Sequence, residues 1–182
     1  MKVKYTIFLI IALGALVYFN SLFSPFIADD YGQIIQNPVI HSLTNFPLFF
    51  IGGSFGAGGG LAGIYYKPIF TAVLSVIYTF FGPSPFFFHT IQLTLHIINA
   101  ILTYCLFSKF LKKQFSLFFS LIFLVHPINS ESVIYISDLQ EPLFFLFGMT
   151  GLLLIIKNHI SIRSFAIIQL LFLLSLFSKE TG

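Results

Sequence analysis

Charge is what this sequence has least of: charged residues are 8% of its 182 positions, nine Lys or Arg and six Asp or Glu. Soluble domains carry about a quarter, so a water-exposed globule is excluded. Hydrophobic residues reach 57%, in runs long enough for helices that cross a bilayer. The alternating short strands of a membrane barrel are missing, as are internal repeats and heptads. The single cysteine, Cys105, lies in an apolar run, which excludes an intrachain disulfide and reads as a buried thiol. Tryptophan is absent; the 26 phenylalanines are assigned to helix–helix and helix–lipid packing. The glycine-rich stretch 52–63 lacks the Gly-Lys-Ser/Thr ending of a phosphate-cradling loop and reads as a mobile connection. The N-terminus has the basic start and apolar core of a signal peptide, but no small-residue cleavage site follows, so it reads as an uncleaved first span.

The pattern predicts an all-α polytopic membrane protein with about five transmembrane helices, near 5–23, 86–107, 115–128, 142–157 and 164–178. A sixth apolar run, 68–81, starts with Pro68, ends at Gly82-Pro83 and is short for a crossing. Charge placement decides its role. If it lies along the membrane surface, within an outer loop spanning 24–85, then Lys2, Lys4, Lys109, Lys112, Lys113, Lys157 and Arg163 share the cytoplasmic side. All six acids, Asp29, Asp30, Glu131, Asp138, Glu141 and Glu180, then fall on the outer face. If it crossed, Lys109, Lys112 and Lys113 would move outside and the sorting would fail. The expected topology is therefore a multi-pass protein of the cell (inner) membrane with a cytoplasmic N-terminus. Asn37-Pro38 should break any helix begun after Asp30, and Ser42 could cap a short helix over 41–50.

Asp29 and Asp30 form an adjacent carboxylate pair just past the first span. One could cap a helix. The other then needs a reason, since charge resists leaving water at a membrane boundary, and mutual repulsion suits one of the pair to accept a proton. In the second outer loop, Ser130 with Glu131 resembles a helix start, and Asp138 and Glu141 could equally cap helices or line a site. His126 and Glu131 could join Asp29 or Asp30 around a metal, but no ligand spacing supports it; no metal or other cofactor is assigned. Lys67 and Lys179 are the only outer cations. They either snorkel to lipid headgroups or neutralise an anionic group such as a lipid-linked phosphate, beside which a carboxylate could deprotonate an attacking hydroxyl. Along 86–107, His89, Gln92, His96, Asn99 and Thr103 recur at helical spacing as one polar stripe, which must face protein or water. It reads as a hydrogen-bonded helix seam.

Four blocks carry a family resemblance: Phe26-Ile-Ala-Asp-Asp-Tyr with Asn37-Pro38; Tyr65-Tyr-Lys-Pro-Ile-Phe; Phe81-Gly-Pro-Ser-Pro through His89 to His96-Ile-Ile-Asn; and His126-Pro-Ile-Asn-Ser-Glu-Ser-Val with Ser178-Lys-Glu-Thr-Gly. In their order and spacing the chain resembles the N-terminal part of GT-C membrane glycosyltransferases that use polyprenyl-phosphate sugars. The branch is that of transmembrane proteins with C-terminal tetratricopeptide repeats, some of them O-mannosyltransferases. The resemblance implies a partial GT-C fold, further spans beyond this chain, a juxtamembrane helix after Lys67, and an acceptor-activating base in the acidic pair, at Asp29 or alternatively Asp30. The family often has Arg where Lys67 stands, so charge is kept but bidentate geometry is lost. It also commonly has a basic residue around Leu139-Gln140, and this chain has none.

The expected function is inverting transfer of a sugar from a polyprenyl-phosphate donor to an acceptor hydroxyl on a protein, glycan or lipid at the outer face. Asp29 would act as base, with Lys67 and Lys179 near the phosphate and His126, Glu131, Asp138, Glu141 and Glu180 in support. Membrane lipids are partners; nucleic acid is not, since the basic residues sit in short inner loops. The rivals are a non-catalytic membrane scaffold and a transporter using the outer carboxylates, though the spans hold no acid in their interiors.

Overall fold

The computed structural model describes residues 3–51, 53–54, 65–156 and 161–179. Lys2, the glycine-rich stretch 52–63 save Gly53 and Ser54, Lys157 and Glu180 lie outside the described residues. All regular structure among the described residues is helical. The helices are α1 (Val3–Tyr18), α2 (Pro68–Phe81), α3 (Pro85–Phe107), α4 (Lys113–Val125), α5 (Glu131–Ile134), α6 (Gln140–Ile156) and α7 (Ile162–Ser178). Among the described residues, three stretches are long and apolar enough to cross a membrane: Val3–Phe23, Pro85–Phe107 and Ile136–Ile156. A fourth would be the broken pair Lys113–Val125 and Pro127–Ile134, bent by 50°. The straight helix expected over 115–128 therefore stops at Val125, because His126-Pro127 cannot continue it.

Helix α3 is the centre of the bundle, packed against α1, α2, α4 and α6. Where α1 and α3 meet, a Cβ on Gly14 would lie 2.8 Å from Ile97 Cγ1, so glycine sets how closely these helices approach. Apolar contacts between Ile10, Ala100, Tyr104 and Leu124 fill this part of the bundle. Cys105 packs against them half-buried rather than fully buried.

The turns put the charges at opposite ends. Lys4, Lys109, Lys112, Lys113 and Arg163 lie where α1 starts, α3 gives way to α4, and α7 starts. Asp29, Asp30, Glu131, Asp138 and Glu141 lie at the other end, with Lys67 and Lys179. Helix α2 keeps both of its ends at this carboxylate end. Tyr66, just before it, meets Phe177 edge-on at 6.2 Å, and Phe81 at its close stacks on Phe87 of α3 at 4.2 Å. Its limits are local: Pro68 occupies the first turn, and Gly82 ends it with φ +66, a conformation that favours glycine.

Phe70, Leu74 and Ile77 line one face of α2 and pack on Phe26, Ile34, Ile40, Phe88, Ile136, Leu139 and Leu143. Each such burial is worth roughly 1.5–3 kcal/mol where water is the alternative. This cluster welds the first loop, α2 and the second loop into one cap. The first loop adds its own turns: Asn37 Oδ1 accepts from Val39 N–H, and Ser42 Oγ accepts from Thr44 N–H. The helix expected over 41–50 forms as tighter 3-10 turns, Leu43–Phe50, with Pro47 inside them.

Candidate active site at the carboxylate end

Asp29 and Asp30 are neighbours in sequence with opposite environments. Ala28, just before them, has φ +44, in the left-handed region that a side chain rarely adopts. This kink leaves Asp29 exposed and turns Asp30 fully inward. Asp30 Oδ1 accepts from Ser137 N–H at 2.8 Å and from Ser137 Oγ at 2.7 Å, and its Oδ2 accepts from Ile27 N–H at 3.0 Å. Asp30 stands just before the helical turn Tyr31–Ile35, but its side chain does not cap it. It instead latches the first loop to the second. His89 of α3, also fully buried, lies within electrostatic reach of Asp30 and close to the Ser24 and Pro25 carbonyls. Neither of its ring nitrogens has a partner of good hydrogen-bond geometry.

Asp29 is fixed by its backbone, whose N–H donates to the Tyr135 hydroxyl at 3.1 Å. Ile27, Ala28, Ser130, Glu131, Ile134 and Tyr135 line a groove of about 450 Å³ beside it. Burial pushes the Tyr135 phenol above its ordinary range, against the smaller opposing pull of its hydrogen bonds to the Asp29 backbone and Ser137. A raised phenol contributes its stability in full below the unfolded value, about pH 10, and loses it as pH rises through the folded value. We therefore expect thermal unfolding to be insensitive to this group near neutrality. Tyr135→Phe should lower stability by no more than about 1 kcal/mol, the net worth of the lost hydrogen bond to the Asp29 N–H, which water can replace, measurable as a slightly earlier unfolding transition in detergent.

The other acids are distributed around the second loop. Asp138 accepts from Ser132 Oγ at 3.4 Å and from Gln140 Nε2 at 3.3 Å. Gln140 is thus engaged, and Leu139 is fully buried, at the place where the resembled family carries a basic residue. Glu141 pairs with Lys179 at 2.6 Å across α6 and α7. Both side chains are about a third exposed, so a Glu141→Gln, Lys179→Met double-mutant cycle should return less than about 1 kcal/mol of coupling. Glu131 is exposed on the groove. His126 does not gather acids: its Nδ1 accepts from Ile128 N–H, starting the turn Pro127–Asn129. Ser130 does not cap α5 with its side chain, which donates to the Pro127 carbonyl. Among the described residues, no group of three or more His, Cys, Asp or Glu could hold a metal.

Lys67 is 6% exposed, which speaks against snorkelling to lipid headgroups, the first of its two readings. Its ammonium lies 4.8 Å from the Tyr65 ring centroid and 5.3 Å from that of Phe70, so aromatic faces shelter the charge. The Tyr66–Phe177 contact brings the segment of Lys67 beside the one that leads to Lys179.

The polar stripe of α3 holds the second loop. His96 Nε2 donates to the Leu124 carbonyl at 2.9 Å, and Tyr18 donates to the same oxygen at 3.1 Å. Asn129 Nδ2 donates to the Phe123 carbonyl. These are the carbonyls that α4 leaves unpaired where it breaks. Gln92 Nε2 donates to the Ser132 and Tyr135 carbonyls, and Asn99 Nδ2 to the Pro142 carbonyl. Thr103 closes back on the Asn99 carbonyl of its own helix. The expected seam therefore joins α3 to loop backbone more than to neighbouring helix side chains, which satisfies non-helical chain near a membrane. Tyr135 and Ser137 were not singled out from the sequence. Neither carried a signal, because each acquires its role through Asp29 or Asp30 more than 100 positions earlier.

No family model matches the chain, and no solved structure matches it. Its curated relatives include proteins named protein O-mannosyl-transferase from three animals. The one from Caenorhabditis elegans is 28% identical over 96% of this chain. The one from Xenopus laevis is 29% identical over 86%, and one from Mus musculus is 31% identical over 76%. The chain spans only 26%, 19% and 16% of the lengths of these three relatives. Along most of its own length, then, this chain resembles the family of proteins named protein O-mannosyl-transferases.

Proposed function

We propose that this chain forms the acceptor-activating part of a membrane glycosyltransferase. It would transfer a sugar, mannose by analogy with its relatives' names, from a polyprenyl-phosphate donor to a hydroxyl of an acceptor protein. The observation that carries this reading is the division between the two aspartates. Asp30 is buried and engaged by three hydrogen bonds, while Asp29 is exposed beside an open groove with its backbone fixed by Tyr135. A base must reach substrate, and of the two aspartates only Asp29 is open to solvent, which supports it over Asp30.

In the proposed step, Asp29 takes the proton of the acceptor hydroxyl as its oxygen attacks the anomeric carbon. The bond from that carbon to the phosphate oxygen breaks, the lipid phosphate leaves with the electron pair, and the configuration inverts. Lys67 and Lys179 would offset the charge growing on the phosphate, Lys179 dividing its charge between phosphate and Glu141. Glu131 and Asp138 would shape the site. The accompanying topology has five spans, the fourth helix and α7 among them, with α2 at the membrane boundary and the carboxylate end outside. The lysine end would then face the cytoplasm.

Labelling of single cysteines introduced at Lys112 and Ser130 in a Cys105→Ser background, on intact cells, tests the topology. Ser130→Cys should react with an impermeant reagent, and Lys112→Cys only after permeabilisation. The reverse pattern would sink the orientation.

A further inference from the structure

The lysine end carries a crevice for which sugar transfer has no use. It lies between the starts of α1 and α4, holds about 290 Å³, and is lined by Thr6, Lys112, Lys113, Gln114 and Leu117. Helix α4 opens there with Lys112 at its cap position and no side chain capping it. The first amides of a helix have no partner within it, and those of Lys113 and Gln114 find none elsewhere among the described residues. Thr6, on the α1 side, is 3% exposed, yet its hydroxyl makes no hydrogen bond among the described residues. The charge is not balanced either. Lys4, Lys109 and Arg163 share this end, and every acidic side chain among the described residues lies at the other. An orphaned hydroxyl, two free amides at a helix start and two lysines form a donor set for an anion. Donors arriving from three kinds of group suit the several acceptor oxygens of a phosphate.

From this combination we infer that the crevice holds the phosphate of an anionic membrane lipid. A phosphate is smaller than the benzene ring that a cavity of about 150 Å³ takes, so it fits with room for its ester. The surroundings favour a lipid over a soluble phosphate compound. Phe110, Phe115 and Phe118 flank the two lysines and are 68%, 50% and 57% exposed, offering apolar faces that suit acyl chains. The crevice also sits at the start of the stretch Val3–Phe23, which is long and apolar enough to cross a membrane. A headgroup of net negative charge is selected over a zwitterionic one, because no carboxylate at this end receives a choline or ethanolamine cation. Bound there, the phosphate ties the start of α1 to the start of α4. The inference goes beyond the transferase reading and does not require Asp29 to be a base.

Native mass spectrometry of the protein released from nanodiscs of mixed phosphatidylglycerol and phosphatidylcholine tests it. Phosphatidylglycerol should be retained over phosphatidylcholine. Lys112→Gln combined with Lys113→Gln should weaken that retention tenfold or more; both side chains are exposed, so the fold is kept. Thr6→Val, which preserves shape and charge, should weaken it threefold or more. Lys109→Gln combined with Arg163→Gln removes the same charge outside the crevice and should change retention less than twofold. Equal weakening by the two charge pairs would overturn the inference, since it reports attraction to diffuse charge. So would retention that Thr6→Val leaves untouched, or equal retention of the two lipids. Displacement of phosphatidylglycerol by soluble glycerol phosphate at matched concentration would overturn the lipid assignment and leave a site for free phosphate. Loss of sugar transfer in Asp29→Asn alongside equal retention of the two lipids would leave the transferase reading standing while removing this one.

Discussion

Asp29→Asn is expected to lower sugar transfer by about 10²–10⁴-fold, the range over which positioned bases contribute, while leaving the unfolding temperature unchanged. Asparagine keeps the backbone N–H that donates to Tyr135 and the size of the side chain, but it cannot take a proton. Because Asp29 is exposed, the substitution leaves no buried group unpaired. The assay follows mannose from a polyprenyl-phosphate donor into a Ser/Thr-containing acceptor, in membranes carrying the protein. The lost rate should reside in kcat, since the interaction is made with a proton in flight. Full transfer by Asp29→Asn would refute its role as base. Transfer lost in Asp30→Asn alone, with the fold intact, would move that role one residue along the chain.

Asp30→Ala should produce the larger structural effect. The carboxylate is fully buried and serves the Ser137 N–H, the Ser137 hydroxyl and the Ile27 N–H. Removing it strands three donors, each worth roughly 1–3 kcal/mol when buried without a partner. A loss of about 3 kcal/mol or more is expected. Hydrogen exchange should rise at Ile27 and Ser137 together, because one side chain serves both loops. Sugar transfer should fall as a consequence, in step with the stability loss and recoverable at low temperature. A chemical defect such as that of Asp29→Asn would not recover. Exchange that rises in the first loop alone would show that the two loops are not latched by Asp30.

Long apolar runs marked the helices because nothing else in the chain competes with them, and the sorting of charge to two ends could be read from position alone. The acidic pair was conspicuous for the same reason. Its division of labour was not legible, since it depends on the kink at Ala28 and on Ser137, 107 positions away. The burial of Lys67 was not legible, because the shelter of Tyr65 and Phe70 exists only in the folded chain. Asp138 and Glu141 looked alike in sequence; in the fold one answers to Ser132 and Gln140, the other to Lys179. The polar stripe was legible as a face, but not its partners, which are backbone carbonyls without a sequence signature.

The Asp30 latch also has a place in time. The chain is made from its N-terminus, and Asp30 emerges 107 residues ahead of Ser137. Through the synthesis of α2, α3, α4 and α5, its carboxylate has no Ser137 to hold and must stay hydrated. The latch can close only when the second loop has been delivered to the same side of the bilayer as the first. A chain in which the two loops lay apart would keep Asp30 in water and leave the apolar cluster around Phe26, Ile136 and Leu139 uncovered.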